Sequence, residues 1–157
     1  MDEKTEAAIV QIRPARRDDA YRIASMVKAA RLNPLGVRWE RFRVAVDSSE
    51  DIIGCAQVKG HRDGSRDLAS LVVSGEWRGR GVGRALVKAL QKEHGPPLWL
   101  TSLSSLIPYY QRFGFLELEA DGYKPFYFRW VSRLVNTLGF LASKGEYLAV
   151  MLWEGKN

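Results

Sequence analysis

Short apolar runs alternate along the chain with segments in which apolar residues recur at helical spacing. Apolar runs of about four to eight residues, bounded by Gly, Pro, Asn or Asp, are typical of strands. We expect seven strands, at residues 8–13, 43–46, 52–59, 68–73, 98–101, 116–120 and 147–153. Because helical segments separate several of these runs, the pattern predicts an α/β (α+β) protein with one mixed central sheet flanked by helices.

Apolar side chains three and four residues apart predict the helices. Their expected buried stripes are Ile23, Met26, Val27 and Ala30; then Val82, Ala85, Leu86, Ala89 and Leu90; and, over residues 125–142, Tyr127, Trp130, Val131, Leu134, Leu138 and Leu141. A shorter helix over residues 108–112 has Ser104 or Ser105 as its candidate N-cap. The segment 124–145 is therefore predicted to be an amphipathic helical segment that precedes the last strand.

The length and composition fit a single globular domain over residues 1–157, with residues 1–7 flexible. Of the 157 residues, 46% are hydrophobic and 27% are charged, which excludes disordered and collagen-like classes. No run approaches the roughly 18 apolar residues of a membrane span. The acidic N-terminus lacks the apolar core of a secretory signal. The single cysteine, Cys55, has no partner for an internal disulfide, which favours a reducing compartment, either the cytoplasm or one like the plastid stroma.

The net charge of +6 is concentrated in three basic segments, at residues 31–43, 78–92 and 124–144. A local excess of positive charge favours a discrete anionic ligand over general binding to polyanions. No DNA- or RNA-binding signature is present, and we expect no nucleic-acid partner. The sequence also contains no pattern of metal ligands, and we expect no metal.

The segment Arg78-Gly79-Arg80-Gly81-Val82-Gly83 lies between a predicted strand and a predicted helix. Glycines let the backbone turn tightly and approach a ligand closely, and the free N–H groups of a helix N-terminus attract anions. Arginines add forked donors beside them, so the segment suits a pyrophosphate. The spacing matches neither G-x-x-x-x-G-K-[ST] nor G-x-G-x-x-G, which disfavours the P-loop and the dinucleotide fingerprint.

This segment resembles the acetyl-CoA motif of the GNAT N-acetyltransferases, written [QR]-x-x-G-x-[GA]. The preceding Leu71-Val72-Val73-Ser74-Gly75-Glu76-Trp77 looks like the family's strand and bulge. A second signature, Tyr109-Tyr110-Gln111-Arg112-Phe113-Gly114-Phe115, is similar to the family's aromatic-Tyr-x-x-x-Gly-Phe helix end. The order of elements also matches. Two further segments, Asn33-Pro34-Leu35-Gly36 and Gly54-Cys55-Ala56-Gln57-Val58-Lys59, resemble cyanobacterial and plastid members of the family. The resemblance implies a GNAT fold in which a splayed strand pair holds acetyl-CoA.

The resemblance also implies the cofactor contacts. Backbone groups of Leu71 and Val73 would bind pantetheine, and Ser104 stands where the family often has a CoA-contacting Asn. The pyrophosphate would lie on the amides of the glycine-rich segment, with Arg84 nearby. The residues assigned to acetyl-CoA are thus Leu71, Val73, Arg78, Gly79, Arg80, Gly81, Val82, Gly83, Arg84 and Ser104.

Tyr110 occupies the family's general-acid position, where it would protonate the departing thiolate. The general base stays open among Asp67, Glu117, Glu119, His61 and a water molecule. The expected reaction is transfer of an acetyl group from acetyl-CoA to a primary amine, on a protein or a small molecule, by direct attack in a ternary complex. The alternative is a non-catalytic domain that senses acyl-CoA. A homodimer through segment 124–145 is a further option, and the acceptor and acyl chain length stay undetermined.

Overall fold

A computed structural model describes residues 10–139 and 141–156. The flexibility expected for residues 1–7, and the beginning of the first strand at residue 8, lie outside this described part. Within it the strands are β1 (Gln11–Pro14), β2 (Phe42–Val46), β3 (Ile52–Gly60), β4 (Arg66–Val73), β5 (Leu98–Leu103), β6 (Leu116–Glu117) and β7 (Leu148–Trp153). The α-helices are α1 (Ala20–Ala29), α2 (Val82–His94), α3 (Ile107–Gln111) and α4 (Phe126–Thr137).

The strands form one mixed sheet in the order β1-β2-β3-β4-β5-β7-β6. Strands β1, β2 and β3 pair antiparallel, as do β5 with β7 and β6 with β7. Strands β4 and β5 pair in parallel at Asp67↔Trp99. The mixed sheet with flanking helices confirms the predicted fold class. The splay of β4 from β5 stays a prediction.

The chain divides into two compact units, which share β3, β4 and α2. The first comprises residues 1–57 and 70–90, with α1 packed against β2 and β3. Its described core consists of Ala15, Ile23, Met26, Val27, Phe42, Val44, Val46, Ile52, Cys55 and Val72. Burying a side chain such as Ile23, Val27 or Phe42 contributes about 1.5–3 kcal/mol each, which fixes the amphipathic face of α1. Ala30 was expected on this face but is exposed, because α1 ends one residue before it.

The second unit comprises residues 58–69 and 91–157. Its apolar cluster contains Trp99, Phe128 and Val150, and the Trp99 and Phe128 rings stack with centroids 5.4 Å apart. The Arg66 guanidinium lies at the C-terminus of α2 and donates to the carbonyls of His94, Gly95 and Pro97. A cation at this end of a helix compensates its unpaired carbonyls and its dipole.

The predicted buried stripe of α4 is wrong. Phe128 and Ser132 are buried, whereas Trp130, Leu134 and Leu138 are 56%, 44% and 71% exposed. Apolar residues lie on more than one side of this helix, and packing of Phe128 against Trp99 decides which side faces the sheet. The helix is also shorter than expected, since Gly139 follows it in a left-handed conformation with φ of 70°.

Strand β6 is also shorter than predicted. It is two residues long rather than five, and the chain then enters a 3-10 turn at Asp121–Tyr123.

Within the described ranges, no helix is long and apolar enough to cross a membrane.

Candidate active site

The glycine-rich loop between β4 and α2 lies wholly within the first unit. Gly79 and Gly81 have φ values of 74° and 83°. Residues with a Cβ rarely adopt such left-handed angles, so these two positions require glycine. A Cβ at either glycine would meet no atom within 4 Å, which means that the loop is open above them. The sequence prediction that glycines shape this loop is therefore confirmed in its geometry.

Helix α2 begins directly after Gly81, and its first hydrogen bond runs from the Ala85 N–H to the Gly81 carbonyl at 3.0 Å. The N–H groups of Val82, Gly83 and Arg84 precede that bond, so the helix supplies no acceptor for them. A helix N-terminus also carries roughly half a positive charge from its aligned peptide dipoles. The end of α2 is thus suited to bind a phosphate group.

The three arginines of this region take different positions. Arg78 is exposed and its Nε donates to the Val73 carbonyl at 3.3 Å. The Arg80 guanidinium lies over the Trp77 ring, 5.4 Å from its centroid. Arg84 is exposed on the first turn of α2. The Val73 carbonyl that was expected to bind pantetheine therefore already accepts one hydrogen bond, although a carbonyl oxygen has two lone pairs.

Strand β4 contains a backbone irregularity just before the residues that were assigned to pantetheine. Ser70 has a φ of 57°, in the left-handed region, although it lies inside a strand. Beyond it, Leu71 and Val73 are partly exposed and Val72 is buried in the core of the first unit. A left-handed residue within a strand is typical of a bulge, which changes the direction of the residues that follow. The cofactor contacts of Leu71 and Val73 stay predictions.

Tyr110 lies in the second unit, on the short helix α3. Its ring makes edge contacts with Tyr109 and Phe115, at centroid distances of 5.1 and 6.2 Å. Burial raises the pKa of Tyr110 well above its usual value, and the negative charge of Asp67 adds to this rise. The hydroxyl therefore keeps its proton throughout the physiological range. Among the described residues, no side chain or carbonyl hydrogen-bonds to this hydroxyl. Tyr109 differs, because the Arg112 guanidinium covers its ring at 4.9 Å.

Two of the four side chains considered for the general base lie together. The His61 Nε2 and Asp67 Oδ2 atoms are 3.4 Å apart, and both side chains are largely buried. Burial raises the pKa of Asp67, while the hydrogen bond from His61 and the charges of His61 and Lys59 oppose that rise. The His61 ring also stacks on Tyr127, with centroids 3.6 Å apart. The pair thus occupies an aromatic, weakly hydrated environment in the second unit.

Glu117 and Glu119 lie elsewhere in that unit, on the wall of a cavity of about 560 Å³ beside α4 and β7. The Tyr147 hydroxyl donates to Glu117 at 2.8 Å, and this carboxylate raises the pKa of Tyr147. Neither glutamate is among the influences that raise the pKa of Tyr110, which are its burial, the neighbouring Tyr109 and the charge of Asp67.

Ser104 is held by a carboxylate far away in the sequence. Its hydroxyl donates to Glu146 Oε2 at 2.5 Å and accepts the Tyr147 N–H at 3.2 Å. The same carboxylate accepts the Ser105 N–H at 3.0 Å, and these bonds lower the pKa of Glu146. The expectation that Ser104 or Ser105 caps α3 is wrong, since neither side chain bonds to the start of that helix. The role of Ser104 in binding CoA stays a prediction.

Three participants in these arrangements escaped sequence reasoning. Tyr127 was assigned to a buried stripe, and Lys59 and Glu146 were not considered. Tyr127 and Glu146 have no local signal, because each meets its partner through a contact between distant segments. The described residues contain no group of three or more His, Cys, Asp or Glu side chains placed to hold a metal ion.

Comparison with known families now identifies the class. The model of the acetyltransferase (GNAT) domain matches residues 38–117, just over half of the chain. This range contains the glycine-rich loop, the His61–Asp67 pair and Tyr110. The chain therefore belongs to the GNAT acetyltransferases, a family of acyltransferases, and the family resemblance seen in the sequence is confirmed. No curated protein sequence matches the chain.

Solved structures share the fold at low sequence identity. N-acetylglutamate synthase from Neisseria gonorrhoeae, complexed with coenzyme A and N-acetyl-glutamate, aligns with a TM-score of 0.73 and 19% identity, over 96% of this chain and 36% of that one. Rv2747 from Mycobacterium tuberculosis, in complex with CoA, aligns with a TM-score of 0.67 and 19% identity, over 92% of this chain and 98% of that one. A GNAT acetyltransferase from Staphylococcus aureus aligns with a TM-score of 0.66 and 13% identity, over 94% of this chain and 99% of that one. The chain thus spans about a third of the length of the gonococcal enzyme.

Proposed function

We propose that this protein is an N-acetyltransferase that transfers the acetyl group of acetyl-CoA to a primary amine. The observation that carries the proposal is the loop that begins α2. Two left-handed glycines shape it, the first N–H groups of α2 have no acceptor within the helix, and Arg78, Arg80 and Arg84 are exposed beside it. Within a GNAT chain, this arrangement supports binding of the CoA pyrophosphate. The CoA-bound structures with the same fold support it as well.

In the proposed reaction, the neutral amine attacks the thioester carbonyl directly. The new C–N bond forms as the C–S bond breaks, the nitrogen releases one proton to become the amide, and the sulfur leaves as a thiolate that takes up a proton. Direct attack, without a cysteine intermediate, agrees with the environment of Cys55, the only cysteine of the sequence. Cys55 is fully buried, and burial raises its pKa to about 12, so it is not available as a thiolate nucleophile.

Tyr110 is the proposed proton donor to the thiolate. A thiol has a pKa near 8.5, and the Tyr110 hydroxyl is fully protonated at neutral pH because burial raises its pKa. Its hydroxyl has no recorded protein partner among the described residues, which leaves it free to donate to the leaving sulfur. General-acid catalysis of this kind contributes about 10²–10⁴-fold to a rate.

His61 is the proposed base, and Asp67 is proposed to hold it. An amine with a pKa near that of lysine, about 10.4, arrives protonated and must lose a proton before it attacks. A buried carboxylate 3.4 Å from the imidazole orients the ring and stabilises the imidazolium that forms when His61 accepts that proton. The charge of Asp67 also reaches Tyr110, which supports a shared role for the three residues.

The test is a thiol-release assay with acetyl-CoA and a panel of amines that includes small polyamines, amino acids and lysine peptides. Turnover with at least one amine is expected. Tight binding of acetyl-CoA without turnover of any amine would instead support the sensing domain. Failure to bind acetyl-CoA at all would contradict the whole proposal.

The assignment of the base is tested by comparing kcat/KM of variants at neutral pH. His61→Gln and Asp67→Asn should each lower kcat/KM at neutral pH by about 10²-fold, within the usual range for acid–base groups. Glu119→Gln is the matched control, because Glu119 is a candidate base that lines the separate cavity, and it should behave like the wild type. A large loss in the control with little loss in the other two would assign the base to the cavity instead.

A further inference from the structure

Ser70 adopts a conformation that its side chain disfavours. Among the described residues, three that are not glycine have positive φ, namely Arg31, Glu50 and Ser70. Arg31 and Glu50 lie in turns outside the strands and helices, but Ser70 lies inside β4 with a φ of 57°. A strained residue of this kind persists only where its surroundings hold it, and such residues are concentrated at functional sites.

Two side chains of the neighbouring strand β3 hold Ser70, and all three residues belong to the first unit. The Gln57 Nε2 donates to the Ser70 hydroxyl at 3.0 Å. The Cys55 thiol lies 4.0 Å from the Ser70 carbonyl and donates weakly to it. Because burial raises the pKa of Cys55, the sulfur keeps the proton that this contact needs.

Gln57 lowers the stability of the folded state at its position. Its side chain is fully buried, and its Oε1 atom has no donor among the described residues. A buried acceptor without a donor destabilises the folded state relative to an apolar side chain of the same shape. Stability alone would therefore favour a residue such as methionine at position 57. A glutamine at this position is explained if the hydrogen bond from its side-chain amide to Ser70 has a role in the function of the protein.

We propose that Gln57 is a positioning residue for acetyl-CoA, which holds Ser70 in its left-handed conformation and thereby sets the direction of Leu71 and Val73. These are the residues whose backbone was assigned to pantetheine. The inference rests on the proposed function for the identity of the ligand. It adds a residue, outside the acetyl-CoA motif and the Tyr109–Phe115 signature, that controls how well strand β4 binds acetyl-CoA.

The test compares Gln57→Met with the double variant Gln57→Met/Ser70→Gly. Methionine keeps the length of the side chain but cannot bond to Ser70. The affinity of Gln57→Met for acetyl-CoA should fall about tenfold, equivalent to about 1.4 kcal/mol. Its unfolding midpoint should equal or exceed that of the wild type. Glycine adopts left-handed angles without strain, so the double variant should regain most of the affinity.

Gln91→Met is the matched control. Gln91 is also buried with an Oε1 that lacks a donor, but its Nε2 bonds to the Phe113 carbonyl in the second unit. This variant removes a fully buried hydrogen bond to a main-chain carbonyl, so it should lose stability and keep its affinity for acetyl-CoA. In Gln57→Met the group that loses its donor is the hydroxyl of Ser70, a partly exposed residue, so the loss of that bond costs less. A purely structural role for Gln57 would give Gln57→Met the same behaviour as this control, and that result would overturn the inference. A double variant that binds no better than Gln57→Met would also overturn it.

One measurement separates this inference from the proposed function. The HN–Hα coupling constant of Ser70 reports its φ by NMR without any ligand. In Gln57→Met it should change to the large value of extended backbone. An unchanged coupling overturns the inference even if the wild type acetylates amines. A changed coupling in a protein that binds no acetyl-CoA would support Gln57 as the residue that holds Ser70 and would refute the proposed function alone.

Discussion

Gly54 lies where strand β3 passes beneath the start of α2, and replacing it with alanine should push the two apart. A Cβ at this position would lie 3.0 Å from Val82 Cγ1, 3.1 Å from Leu86 Cδ1 and 3.2 Å from the Val72 carbonyl oxygen. Val82 and Leu86 are fully packed, at 1% and 0% exposure, and the carbonyl belongs to a strand. Because two of these neighbours are buried side chains and the third is main chain, we expect little movement away from the added methyl group.

The expected loss follows from two opposing effects. Overpacking of a tight core costs about 1–3 kcal/mol. Replacing glycine by alanine recovers about 0.4–1 kcal/mol by restricting the unfolded chain. The free energy of unfolding of Gly54→Ala should therefore fall by about 1.3 kcal/mol, the middle of a balance that runs from about 0 to about 2.6 kcal/mol. Because Val82 is the first residue of α2, the KM for acetyl-CoA should rise as well.

The assay is urea unfolding followed by circular dichroism, together with thiol-release kinetics. Gly60→Ala is the matched control, since Gly60 ends the same strand and a Cβ there would meet nothing within 4 Å. The control should be as stable as the wild type or more so. If Gly54→Ala proves as stable as Gly60→Ala, with an unchanged KM, the close packing of β3 against α2 is not what positions the loop.

Three further changes test other parts of the structure. Tyr110→Phe should lower kcat by about 10² or more while leaving the Kd for acetyl-CoA nearly unchanged, and an unchanged kcat would remove Tyr110 from the acid role. Phe128→Ala should cost about 3–5 kcal/mol of unfolding free energy, whereas Trp130→Ala, on the exposed side of α4, should cost under 1 kcal/mol; the reverse order would contradict the orientation of α4. Asp19→Asn should cost roughly 1.5–3 kcal/mol at pH 7, because the Arg13 guanidinium holds the pKa of Asp19 below its usual range. Stability from a lowered carboxyl pKa is present above the unfolded value of about 3.9 and is lost as the pH falls through the lower folded value, so the urea midpoints of wild type and variant should converge as the pH falls below about 3.9.

Strand and loop positions could be predicted from the sequence because their causes are local. The apolar runs predicted β2, β3 and β7 to within a residue or two, and Gly95 marked the end of α2. The glycine-rich loop was predictable for the same reason. Gly79 and Gly81 supply the positive φ angles from their own lack of a Cβ, whatever surrounds them.

The face of α4 and the support of Ser104 could not be predicted. Apolar residues lie around much of α4, so the spacing allowed more than one buried face, and contact of Phe128 with Trp99 selected one. The carboxylate that binds Ser104 belongs to Glu146, 42 residues along the chain. No local pattern specifies such a pair, because the approach of the two segments depends on the antiparallel pairing of β5 with β7.

The sequence by itself determined the family, the order of strands and helices, and the loop at the start of α2, since each depends on residue types at fixed short spacing. It named four side chains for the base without ranking them. Tertiary structure brings two of these four together, because only folding places the imidazole of His61 3.4 Å from the carboxylate of Asp67 in a buried setting. It also decided the conformation of Ser70. A serine enters the left-handed region only when something holds it there, and its partners, Gln57 and Cys55, reach it from the neighbouring strand.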